Sequence, residues 1–175
     1  EYTRLGGSEA FNVETGGYGK LNLTGRLQRN ISRDGFWYWV GRFNAQATSR
    51  NLDGYNRLAL GGVNGVRAYT AADGSGDQGV VGTLELNRRF SARQTMGLFY
   101  DAGVVQPNKV HVNGGFNTIY RLQAVGAQWS GNVDHVYYSA TLAKGVGGYK
   151  LAEAGQITES PRNPWRLSAA LSYVF

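Results

Sequence analysis

The chain has 175 residues, enough for one domain with its own core, and carries 18 Lys and Arg against 12 Asp and Glu. Its formal net charge of +6 is spread singly, with no basic run that would make an arm or patch for nucleic acid. The absence of cysteine excludes a disulfide framework, a thiol nucleophile and thiolate metal sites. Glycine at 26 residues, proline at 3 and tyrosine at 11 are unlike an ordinary soluble domain.

No apolar run approaches the roughly 18 residues a transmembrane helix needs. Membrane β-barrels escape that scan, because only every second residue of a strand meets lipid. The pattern along this chain has period two. "KLNLTGRLQ" from Lys20 sets Leu21, Leu23, Gly25 and Leu27 against Lys20, Asn22, Thr24, Arg26 and Gln28. After "RNISRDG", the run "FWYWVGRFNAQAT" sets Trp37, Trp39, Phe43, Ala45 and Ala47 against Arg42, Asn44, Gln46 and Thr48.

A long glycine-rich loop from Ser49 to Gly79 follows, too rich in small and polar residues to promise a core. Its Gly74, Gly76 and Gly79 match the dinucleotide-binding fingerprint in spacing only, since a strand follows where a helix is required. Asp73 and Asp77 lack the spacing and closing glutamate of a calcium loop, and are expected as solvated loop carboxylates.

Next, "VVGTLELNRRF" puts Val80, Leu84 and Leu86 opposite Thr83, Glu85, Asn87 and Arg89. A turn at "FSAR" leads to "TMGLFYDAGV", with Met96, Leu98, Tyr100, Ala102 and Val104 opposite Thr95, Phe99 and Asp101. "IYRLQAVGAQW" alternates less cleanly, and a phase slip at Ala124 or Gly126 would suit a bulge. A turn at "SGN" from Ser130 then gives "VDHVYYSATLA", with Val136, Tyr138, Ala140 and Leu142 on one face. The last run, "WRLSAALSYVF", places Trp165, Leu167, Ala169, Leu171, Tyr173 and Phe175 opposite Arg166, Ser168 and Ser172.

Seven strands of about ten residues, with short and long connections alternating, predict an all-β protein: an antiparallel transmembrane β-barrel of outer-membrane type with seven to eight strands. Residues Tyr2–Gly7 would supply the eighth. Trp37, Phe90, Trp129 and Phe175 would form one aromatic girdle and Trp165, Tyr149 and Tyr120 the other. The apolar faces are read as lipid-facing. Arg26, Arg42, Arg89, Arg121 and Arg166 are then lumenal, making the interior cationic and weakly anion-selective. A soluble barrel would turn its apolar face inward, but that face is filled thinly with Gly, Ala, Leu and Tyr. His111 and His135 fall at opposite rims, no serine sits in a nucleophile elbow, and no catalytic or cofactor constellation is found. The chain reads as a non-enzyme.

The alternation of Leu167, Ala169, Leu171 and Tyr173 up to Phe175 looks like the terminal-strand signal of bacterial outer-membrane barrels, read by the insertion machinery. "LALGGVNGVRAY", "TLEL" and "GLFYDAG" resemble the TpsB family, the haemolysin-activation/secretion transporters of two-partner secretion. The resemblance runs from "GKLNLTGRLQRN" at Gly19 to Phe175. It implies that Val66, Arg67, Ala68 and Tyr69 form the family's inward-folded loop motif, with Arg67 anchored on the barrel wall at Glu85 and Asp101. It implies a bacterial outer-membrane location among lipid and lipopolysaccharide, passive export of a secreted passenger protein, and no cofactor. Full members also carry POTRA domains and a sixteen-stranded barrel. Residues 1–175 therefore resemble the C-terminal part of one transporter barrel, without a POTRA domain. The alternative is a stand-alone small outer-membrane barrel with a structural or surface-interaction role.

Overall fold

The computed structural model describes residues 17–110, 119–147 and 160–174. Nine strands lie among them: β1 (Lys20–Asn30), β2 (Trp37–Thr48), β3 (Leu58–Ala59), β4 (Ser75–Gly76), β5 (Gln78–Ser91), β6 (Gln94–Gln106), β7 (Tyr120–Val133), β8 (Val136–Val146) and β9 (Trp165–Tyr173). Seven of them make one antiparallel sheet in the order β1-β2-β5-β6-β7-β8-β9, and β3 pairs with β4 alone. Each long strand thus lies beside its chain neighbour, β2 and β5 meeting across the segment 49–77 between them. Among the described residues β1 and β9 do not pair, so the sheet is open. The proposed strand at Tyr2–Gly7, together with Phe175, Tyr149 and His111, lies outside the described residues.

Alternation sorts the side chains onto two faces. One is bare and apolar: Leu21 is 69% exposed, Leu98 63% and Leu167 74%. The other carries Asp101, and register places Thr83, Arg42 and Arg26 along the same cross-strand row. This second face is covered by segment 49–77, which we call the strap. The core lies between strap and sheet: Leu58, Leu60, Val66, Ala68 and Tyr69 pack on Val81, Phe99, Val105, Tyr120, Leu122 and Ala124. The glycine-rich loop, expected to build no core, supplies five of its twelve residues.

Three further expectations are corrected. No bulge interrupts β7, whose pairing with β6 runs unbroken from Gln94↔Gly131 to Val105↔Tyr120. The irregularity falls between Arg89 and Ser91. The turn placed at Ser130–Asn132 is strand, with Gly131 opposite Tyr138 and Asn132 opposite Tyr137. The chain reverses after Val133, where Asp134 takes φ 51°, a left-handed conformation that aspartate tolerates. Finally, Arg121 pairs with Val104 and Tyr120 with Val105. Arg121 therefore stands exposed on the apolar face, not with the other arginines, while Tyr120 is buried under the strap and belongs to no girdle.

Candidate functional site

The strap leaves β2 at Ser49 and is shaped by local hydrogen bonds. Asp53 caps a short 3-10 turn (Gly54–Asn56), its carboxylate accepting the Asn56 N–H at 3.0 Å. The β3–β4 hairpin then closes its neck through Leu58↔Gly76 and Ala59↔Ser75. Beyond the neck the chain folds tightly on itself, Val66 N donating to Leu60 O at 2.9 Å and Gly62 N to Tyr69 O at 3.0 Å. A Cβ at Gly65 would sit 2.3 Å from the Leu60 carbonyl, and one at Gly61 2.1 Å from that of Thr70. These glycines permit close backbone approach; they do not loosen the loop.

This folding drives Arg67 onto the sheet. Its Nη2 and Nε lie 2.8 and 2.9 Å from Oδ1 and Oδ2 of Asp101, a bidentate fork, and its own backbone N–H donates to Oδ2 at 3.0 Å. Nη1 reaches Glu85 Oε1 and Gln128 Oε1, each at 3.0 Å. The guanidinium plane stacks over the Phe99 ring at 3.4 Å from its centroid, a geometry that adds cation–π attraction. Phe99 lies flat because Gly126 is its cross-strand partner, where a Cβ would come within 2.2 Å of the ring. Asp101 also accepts from the Thr83 hydroxyl at 2.8 Å, and Glu85 is shared with Arg42. The Arg67 side chain is 10% exposed and that of Asp101 0%. Buried ions persist only when paired and hydrogen-bonded, and here four of the five guanidinium N–H groups bond to the sheet.

Three other fasteners hold the strap. At its neck the Tyr120 hydroxyl accepts the Ser75 N–H at 2.7 Å and donates to the Ser75 carbonyl. At its far side Asp73 accepts Thr70 N at 2.7 Å and Ser160 N at 3.1 Å, while Arg166 donates to the Tyr69 carbonyl. At its base Asp77 accepts Leu52 N at 3.1 Å and Lys109 N at 2.9 Å and meets Arg57 Nε at 3.2 Å. Asp73 and Asp77 are thus buried structural carboxylates, not solvated ones. Burial pushes the Asp77 carboxyl above its usual range, although the Lys109 and Leu52 N–H groups and Arg57 pull it down. Burial, with Asp73 nearby, also raises the Tyr69 phenol.

The structure accordingly brings Val66, Arg67, Ala68, Tyr69, Glu85 and Asp101 together in one buried cluster. Arg42 joins it through Glu85, and Arg166 touches its edge. Arg26 and Arg89 share the strap-bearing face without joining, Arg89 lying over the Tyr38 ring at 5.4 Å. Leu171 and Tyr173 point to the bare face on β9. Thr83, Phe99 and Gln128 complete the cluster without having been singled out. The one signal for them was their period-two phase, shared with Glu85 and Asp101.

A family model of the haemolysin secretion/activation proteins ShlB/FhaC/HecB matches residues 3–129. The chain belongs to the ShlB/FhaC/HecB family. The matched span contains the whole strap and its wall on β5, β6 and most of β7. It begins ahead of the motif resemblance at Gly19 and stops short of β8 and β9. Among curated proteins no match was found. ShlB/FhaC/HecB proteins act in two-partner secretion, where a transporter serves a secreted partner, and their place is the outer membrane.

Proposed function

We propose that this chain forms the strap-bearing wall of an outer-membrane β-barrel that exports a secreted partner protein. The apolar face of the sheet contacts lipid and the strap-bearing face lines the pore. Arg67 pins the strap within that pore, export is passive, and the chain catalyses no reaction. β9, with Leu171 and Tyr173, would be read by the insertion machinery. One observation carries this reading: the fully paired Arg67–Asp101–Glu85 cluster holds a long loop against the polar face while the opposite face stays bare and apolar. A soluble sheet would cover the apolar face instead. Among the described residues, every charge that a lipid-facing strand could not tolerate, save Arg29, Arg88, Arg121 and Lys144 toward strand ends, lies on the strap side or in turns.

The test is secretion. In the bacterium that makes this protein, Arg67→Ala should lower one exoprotein in the culture medium at least tenfold while the mutant still reaches the outer membrane. Unchanged secretion would remove the strap from the transport role.

A further inference from the structure

Arg26 and Arg42 occupy directly opposed positions on β1 and β2. Like charges facing each other across a strand pair repel and destabilise it, unless something negative bridges them. Arg42 has a partial answer in Glu85, but Glu85 offers the same Oε1 atom to Arg67. Asp101 is committed to Arg67, Thr83 and the strap backbone. Three guanidinium groups therefore share two carboxylates, and Arg26 is the one left over. Its hydrogen bond is to Gln28 Oε1 at 3.4 Å, and among the described residues it forms no ion pair.

The surplus charge faces an open volume. A cleft of about 360 Å³ lies between the strap tip and the sheet, lined by Thr24, Arg26, Arg42, Asn44, Asn64 and Thr83. Its two cations come from one cross-strand pair, with neutral hydroxyl and amide groups beside them and the apolar Phe43, Val63 and Val81 in the rest of the wall. The Arg42 side chain is 46% exposed, so donors not used on Glu85 remain accessible. Planar guanidinium forks suit carboxylate and phosphate oxygens, and the amide and hydroxyl groups in the wall can complete their hydrogen bonding.

We infer that this cleft is a binding site for one small oxyanion, a carboxylate or phosphate group, held between Arg26 and Arg42. It deepens the functional reading above, since on that reading the cleft opens on the path of the secreted chain. The same chemistry has two sources: a free ion, or an acidic side chain of a polypeptide in transit. The site is distinct from the Arg67 anchor, whose guanidinium is buried and commits four of its five N–H donors to the sheet.

The experiment is calorimetric titration of the folded chain in detergent, first with inorganic phosphate and then with a blocked aspartyl peptide. Binding of phosphate alone assigns the site to a free ion, and binding of the peptide, alone or with phosphate, assigns it to an acidic side chain. Arg26→Gln should weaken whichever binds at least tenfold, Arg26→Lys should weaken it less, and Arg89→Gln should leave it unchanged. No binding of either probe, or equal affinity in wild type and Arg26→Gln, would overturn the site. Heat-modifiable gel mobility of each variant shows that it is folded. The titration needs no secreted partner, so its outcome is independent of the secretion assay.

Discussion

The middle of the sheet and its two edges are built from the same alternating strands, yet they differ sharply in burial. On β5 and β6 the residues Glu85, Asn87, Phe99 and Asp101 are all buried, and on β7 so are Tyr120, Leu122 and Ala124. On β1 and β9 the corresponding face has no buried residue. Nothing in the strands themselves accounts for this, since Asn22 and Thr24 are no more polar than Asn87 and Thr83. The strap makes the difference. Where it lies, it excludes water and supplies the cation that lets two acids be buried. Where it reaches only by single contacts, to Lys20 on β1 and Arg166 on β9, the same face stays wet. Burial on this protein is a property that one loop confers on a wall otherwise indifferent to it.

That contrast can be broken most forcefully at Asp101. Asp101→Ala leaves Arg67 buried against Glu85 and Gln128 alone, and removing one partner of a buried pair costs about 3–5 kcal/mol. Trypsin should then cut the strap about two to three and a half orders of magnitude faster, since each 1.4 kcal/mol is about tenfold in the open population. Equal cleavage rates in mutant and wild type would mean that the cluster does not hold the strap. A smaller effect is expected from pH at the base of the strap. Folding raises the Asp77 carboxyl above 3.8, so the folded state favours its proton. The contribution of Asp77 to strap stability should then decline as pH rises from about 3.8 through its folded value. The Leu52 and Lys109 amides, which donate to that carboxylate, report it by hydrogen exchange corrected for intrinsic rate. Rising protection over that window would reverse the sign and assign control to Arg57. The smallest effect belongs to the uncovered edge: Asn22→Ser on β1 should change stability by less than about 0.5 kcal/mol in denaturant unfolding. A larger loss would show that the edge is covered after all.

The strands and their faces were legible because alternation is a local signal, and of the seven long strands only β7 needed correction beyond its ends. Arg67, Glu85 and Asp101 were legible together because a motif and the strand phase independently put both acids on one face. The strap core was not. Gly61 and Gly65 read as looseness in a sequence, but the fold uses them where backbone approaches backbone, a fact set by tertiary packing. Arg121 failed for a related reason. On β7 the strap-bearing face is apolar, with Tyr120, Leu122 and Ala124 lying under the strap, so the usual sorting of polar inward and apolar outward is locally inverted. The irregular alternation that suggested a bulge was this inversion. The turn at Asp134 was missed because Ser-Gly-Asn upstream has better turn chemistry than the residues that reverse the chain.

The direct pairing of β2 with β5 has a further consequence. Gln46 faces Gly79 and Ala45 faces Val80 right where the strap departs and returns, so the sheet is sealed beneath the excursion. The strap can rise from the wall without breaking a single pair of neighbouring strands. It should therefore behave as its own cooperative unit, opening and reclosing at a free energy below that of the sheet. Closing a loop of this length anew costs about 3 kcal/mol in chain entropy, but here the sealed sheet holds the ends together throughout. Reclosing is consequently a local search by a tethered segment, repeatable many times in the life of one molecule.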